Sequence, residues 1–160
     1  MKRSLVAITM ILAAGIASQA SAQEAEQVVT FEVQAINQIS VGGSPSLTIS
    51  TAVAGDAPTA VSDVATYAIT TNEENRNITA QLDANMPTGL TLTIDMAAPV
   101  GSGLSTDVQT LSTDAVALVT GVSLLNESGL GISYNLSATS AAGVISSSTR
   151  TVTFTVVAGA

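Results

Sequence analysis

Residues 90–96 read Leu-Thr-Leu-Thr-Ile-Asp-Met. Leu90, Leu92, Ile94 and Met96 share one parity, and Thr91, Thr93 and Asp95 share the other. Strict apolar/polar alternation over this length describes a strand with one buried and one solvated face. An amphipathic helix would instead need apolar residues three and four apart.

The same period recurs on either side of this stretch. Towards the C-terminus, Ile132, Tyr134, Leu136 and Ala138 alternate with small and polar residues, and Val152, Phe154 and Val156 alternate with Thr151, Thr153 and Thr155. A weaker pair of strands is expected near Val108 to Leu111 and Ala115 to Val122. Towards the N-terminus, Tyr67 and Ile69 run into the polar turn Asn72-Glu73-Glu74-Asn75-Arg76, and the chain returns through Ile78, Ala80 and Leu82. That spacing predicts a hairpin. Leu47, Ile49 and Thr51 form a further alternating run. Val29, Phe31, Val33 and Ala35 form another, opposed by Thr30, Glu32 and Gln34; Ile39 and Val41 continue its parity past Asn37.

Val, Ile and Thr dominate these segments, and their branched Cβ suits a pleated surface. The four prolines, Pro45, Pro58, Pro87 and Pro99, all fall between them, where a residue without an amide proton removes no ladder bond. About nine short strands separated by Gly, Ser, Asn and Pro predict an all-β fold. The expected architecture is a single antiparallel β-sandwich with Greek-key or Ig-like connections over residues 23–160.

Residues 1–22 read differently. Lys2 and Arg3 precede a largely apolar run from Leu5 to Ala17, and Ser18-Gln19-Ala20-Ser21-Ala22 follows. A positive start, a short apolar middle and small residues at Ala20 and Ala22 are the parts of a cleavable secretory signal, with Gln23 first after cleavage. The run is shorter than the roughly 20 residues of a spanning helix, and no later one is long enough. The expected location is therefore outside the cytoplasm: periplasmic, cell-surface or extracellular. Few aromatics and short strands also argue against a transmembrane barrel with its aromatic girdles.

Without residues 1–22 the chain has 160 − 22 = 138 residues, enough for one domain. Arg76 and Arg150 are then the only cations against twelve acids, a formal charge of 2 − 12 = −10. Such a surface repels phosphate backbones and anionic headgroups, so no nucleic-acid partner is expected.

The chain has no His and no Cys, and no Lys beyond residue 2. The usual general base, thiolate and Schiff-base amine are missing, and zinc and copper lose their preferred ligands. A carboxylate pair, Asp83 with Asp95 or Glu73 with Glu74, is the remaining route to hydrolysis. Both pairs read as solvated surface, so no catalytic residue is expected. No cofactor is expected either. Calcium is the one ion considered, through Asp56, Asp63, Asp107 and Asp114 in or beside loops, but they form no Asp-x-Asp-x-Asp-Gly run. The four aromatics of the body, Phe31, Tyr67, Tyr134 and Phe154, lie on apolar parities, so core packing is the expected use of all four.

Sheet edges are normally blunted by lysine, proline or bulges, and this body has no lysine. The candidate interaction strands are the first, carrying Val29, Phe31, Val33 and Ala35, and the last, carrying Val152, Phe154 and Val156. They are expected to pair with each other within one molecule, with pairing to a neighbouring molecule as the competing arrangement.

The order of leader, apolar N-terminal strand, Thr/Ser/Ala-rich sandwich and final alternating strand Arg150-Thr-Val-Thr-Phe-Thr-Val157 resembles bacterial fimbrial and spore-coat-U-like surface proteins. In style it also resembles WxL-type surface domains. The chain has no tryptophan for a Trp-x-Leu motif and no cysteine for the disulfide of many fimbrial subunits, and no residue role is carried over. The resemblance implies a secreted, non-enzymatic structural or surface-interaction protein, pilin-like or coat-like, whose partner is itself or another surface protein. An extracellular module for glycan or calcium is the alternative.

Overall fold

The computed structural model describes residues 23–160. The signal-peptide positions Ala20 and Ala22 lie outside the described residues, and Gln23 is the first within them. The chain divides into two compact units, Met1–Glu32 and Val33–Ala160. The described part of the first, residues 23–32, carries no helix or strand and is exposed throughout.

The second unit is all-β. Its strands are β1 (Asn37–Gly42), β2 (Val61–Thr71), β3 (Arg76–Leu82), β4 (Leu90–Met96), β5 (Leu104–Ser105), β6 (Gln109–Thr110), β7 (Val116–Val122), β8 (Leu125–Ala138) and β9 (Val152–Ala158). A single 3-10 turn, Ser140–Ala142, interrupts the β8–β9 connection. Every ladder is antiparallel. One sheet has the order β1-β2-β8-β4-β6 and the other β5-β7-β3-β9. The predicted sandwich is thus present. No helix among the described residues is long and apolar enough to cross a membrane.

The alternation that predicted β4 maps onto its burial. Leu92, Ile94 and Met96 are buried, while Thr91 and Asp95 face solvent. Tyr67 and Ile69 of β2, Ile78, Ala80 and Leu82 of β3, Leu118 and Val122 of β7, and Ile132 of β8 complete a continuous core between the sheets.

The predicted hairpin is corrected. β2 pairs with β1 and β8, whereas β3 pairs with β7 and β9, so residues 72–75 turn the chain from one sheet to the other. The physical reason is that β2 and β3 both turn large apolar faces inward and bury them against opposite sides of one core. The same polar turn serves a hairpin or a corner. From β2 onward every connection crosses between the sheets.

Two other expected strands differ. Leu47–Thr51 keeps its alternation, with Leu47 packed on the core, but belongs to no ladder; only the nearby bridge Ala52↔Pro58 forms. The expected first strand, carrying Val29, Phe31, Val33 and Ala35, is absent as a strand, and regular pairing starts at Asn37.

These assignments fix a stability contrast. Ile94→Ala empties a fully buried position and is expected to cost about 2–5 kcal/mol. Phe31→Ala in dilute protein is expected to change stability by less than about 0.5 kcal/mol. Urea unfolding of both variants checks the pair, and equal losses would contradict the assignment of the core.

Candidate functional site

Each edge of a sandwich exposes unpaired backbone groups unless something blunts it. Here the edges differ in kind. β5 and β6, at one edge of each sheet, are two residues long, which leaves little template for another chain. β1 and β9, at the opposite edges, have six and seven residues. β1 pairs only with β2, and β9 only with β3. The sequence of β9, Val-Thr-Phe-Thr-Val-Val-Ala, has no charge and no proline to discourage a further partner.

The core is incompletely covered beside these edges. Val152, Phe154 and Val156 are only half-buried, whereas Leu82, Ala80 and Ile78, which face them in register on β3, are buried. A groove of about 460 Å3 opens there, lined by Val41, Leu47, Tyr134, Leu136, Phe154 and Arg150. Its apolar side chains come from both sheets, and Ser148, Thr149 and Thr151 line it beside Arg150. One rim is β9, with an unpaired edge, and the other includes Leu47, on a stretch that joins no ladder. Burial raises the pKa of the Tyr134 hydroxyl.

Polar contacts position the lip and the end of β1. The Ser46 backbone N–H donates to the Asp63 carboxylate at 2.7 Å, and that of Val64 donates at 2.8 Å. These bonds, Ser46 first, hold the Asp63 pKa below its ordinary value. At the other end, Asn37 donates to Glu73, whose carboxylate also pairs with Arg76. The Asn37 bond is the main reason the Glu73 pKa is lowered. Asn72 holds the chain entering β1: its side chain accepts from the Ile36 N–H at 2.7 Å and donates to the Gln34 carbonyl at 2.7 Å.

The structure separates the predicted interaction residues. Val152, Phe154 and Val156 lie on β9 and face inward. Val29, Phe31, Val33 and Ala35 precede the first strand and are exposed, Phe31 at 90% of its surface. The expectation that Phe31 packs in the core is therefore corrected, and residues 27–35 form no strand. Period two reports which side chains share a face; it does not say whether that face has found a partner. Val28, a further exposed apolar residue, belongs to the same segment.

The carboxylates are otherwise engaged or scattered. Asp83 accepts from the Ala84 and Thr151 N–H groups, each at 3.0 Å. Asp95 lies on the solvated face of β4. Among the described residues no three acids gather as a metal site. Asp63 is taken up by backbone, while Asp56, Asp107 and Asp114 lie in exposed connections.

Searches of protein-family models, curated proteins and solved structures find no match to this chain.

The two lowered carboxylates predict an acid limb of stability. A group whose folded pKa is depressed stabilises the fold fully above its unfolded value, here 3.8 for Asp63 and 4.5 for Glu73, and this contribution is lost as pH falls through the lower folded value. Asp63→Asn with Glu73→Gln is expected to flatten the fall of Tm in acid. An acid limb as steep as that of the parent would show that these bonds do not set it.

Proposed function

We propose that this is a secreted, non-enzymatic structural protein of the bacterial surface whose N-terminal segment pairs with the sheet edge of a neighbouring molecule. The observation that carries the reading is the exposure of Val28, Val29, Phe31 and Val33, at 92%, 71%, 90% and 79%. Contiguous exposed apolar surface marks an interaction site more often than scattered residues do, and an alternating segment is the form in which a chain adds to a sheet.

The energetics favour a ladder over mere adhesion. Burying Val29, Phe31 and Val33 yields roughly 1.5–3 kcal/mol each. Association costs roughly 4–15 kcal/mol of lost freedom. The apolar term thus offsets this cost without clearly exceeding it, so main-chain hydrogen bonds to an unpaired edge decide whether the pair forms. Secretion fits the leader-like residues 1–22 and the acidic, cysteine-free body, and a non-catalytic role fits the missing His, Cys and Lys chemistry.

Size-exclusion chromatography with light scattering, on protein purified after expression of the full chain, tests the reading. Mass is expected to rise with concentration, and Phe31→Asp is expected to raise the concentration needed by at least about tenfold, the factor that 1.4 kcal/mol represents. A strictly monomeric protein at all concentrations would refute self-association. Calcium is expected to leave both mass and Tm unchanged; a Tm raised by calcium would instead favour the metal-binding alternative.

A further inference from the structure

We propose that the groove between β1 and β9 is a binding site for a small carboxylate with an apolar tail, of the medium-chain fatty acid class, and that Arg150 holds its carboxylate. The inference concerns the interior of the groove and does not rest on the self-association reading. Size, the placement of polar groups and the balance of charge support it.

At about 460 Å3, the groove falls within the range of roughly 300–1,000 Å3 typical of small-molecule sites. Leu47, Leu92, Leu136, Val152 and Phe154 give it apolar walls. Leu92 is buried and the other four are half-buried, so a tail lying on them removes from water an apolar surface that the fold leaves uncovered. The polar side chains, apart from the Tyr134 hydroxyl, come from the single run Ser148-Thr149-Arg150-Thr151. A ligand with one polar end and an apolar remainder matches this division. A sugar, with hydroxyls around its whole ring, would set several of them against the apolar walls without partners.

Charge selects the polar end. Beyond residue 22 the chain carries twelve acids and two arginines, yet no acid lines the groove. Asp63 and Asp83, on segments beside it, are taken up by backbone: Asp63 accepts from the Ser46 and Val64 N–H groups, and Asp83 from those of Ala84 and Thr151. Arg76 pairs with Glu73, whereas Arg150 has no carboxylate within ion-pair distance among the described residues. Its Nε donates to the Asn85 carbonyl at 3.1 Å and its Nη1 to the Thr149 carbonyl at 2.8 Å. Those bonds fix the guanidinium and use two of its five N–H donors; the others suit the two oxygens of a carboxylate. Burial raises the pKa of the Tyr134 hydroxyl, which therefore adds no negative charge. The groove is a locally positive surface in a chain whose net charge otherwise repels anions.

Calorimetric titration of the protein with octanoate, decanoate and octanamide tests the proposal, with light scattering of the same samples giving their mass. Octanoate is expected to saturate the protein, and decanoate to bind at least about tenfold more tightly, since each buried methylene contributes about fourfold. Octanamide, a similar tail without the charge, is expected to bind at least about tenfold more weakly than octanoate. Arg150→Gln is expected to remove that preference for the carboxylate with Tm unchanged, and Arg150→Lys to keep part of it. Phe31→Asp is expected to bind octanoate as the parent does, which separates this site from the exposed N-terminal segment. Failure of all three probes to saturate the protein would overturn the inference, as would equal binding of octanoate by the parent and Arg150→Gln. If Phe31→Asp abolished binding, the ligand would lie on the segment before β1 and the assignment to the groove would be wrong. The self-association reading falls on a different result, a mass that never rises with concentration.

Discussion

A strand can form hydrogen bonds along both of its edges, and β9 uses only one. Its other edge, seven residues without charge or proline, lies beside a core left half-covered at Val152, Phe154 and Val156. Elsewhere the sandwich limits this exposure: β5 and β6 end their sheets in two residues each. The side carrying β1 and β9 is different: there the sandwich opens the groove that Arg150 lines.

The fold creates this opening through its connectivity. From β3 onward each strand lies in the sheet opposite to its predecessor. Most ladders therefore join strands distant in sequence, as β2 with β8 and β3 with β9 do. Among the described residues, β1 and β9 each pair along one edge only. Closure by a further strand would bury the half-exposed residues of β9 and complete its hydrogen bonding, and the segment before β1 has the alternation to provide one.

Much of this was legible in the sequence, and the failures have physical causes. β4 and β9 were readable because each has one apolar and one polar face, and period two reports that directly. The pairing of β2 and β3 was not, because Asn72 to Arg76 serves equally as a hairpin turn or as a corner between sheets. β8 looked shorter than it is. Tyr67 pairs with Leu130 and Ile69 with Glu127, so a bulge with Gly129 at positive φ shifts the parity between Leu125 and Ile132. A strand that changes parity hides its N-terminal half from an alternation search. Val29, Phe31 and Val33 alternate with polar residues in the sequence, but the pattern could not say that these residues form no strand and stand uncovered. The groove was the least legible feature, since Leu47, Tyr134 and Phe154 meet only through the fold.

Amide hydrogen exchange of the full chain, followed by mass spectrometry over a range of protein concentrations, tests the central claim most directly. In dilute protein, peptides covering residues 27–35 should exchange at the rate of open chain. As concentration rises, those peptides and the ones covering Val152–Ala158 should gain protection together, because the proposed ladder joins the two. Protection of residues 27–35 that is already complete in dilute protein would place the segment in its own molecule's sheet. Fast exchange of residues 27–35 at every concentration would contradict strand pairing altogether.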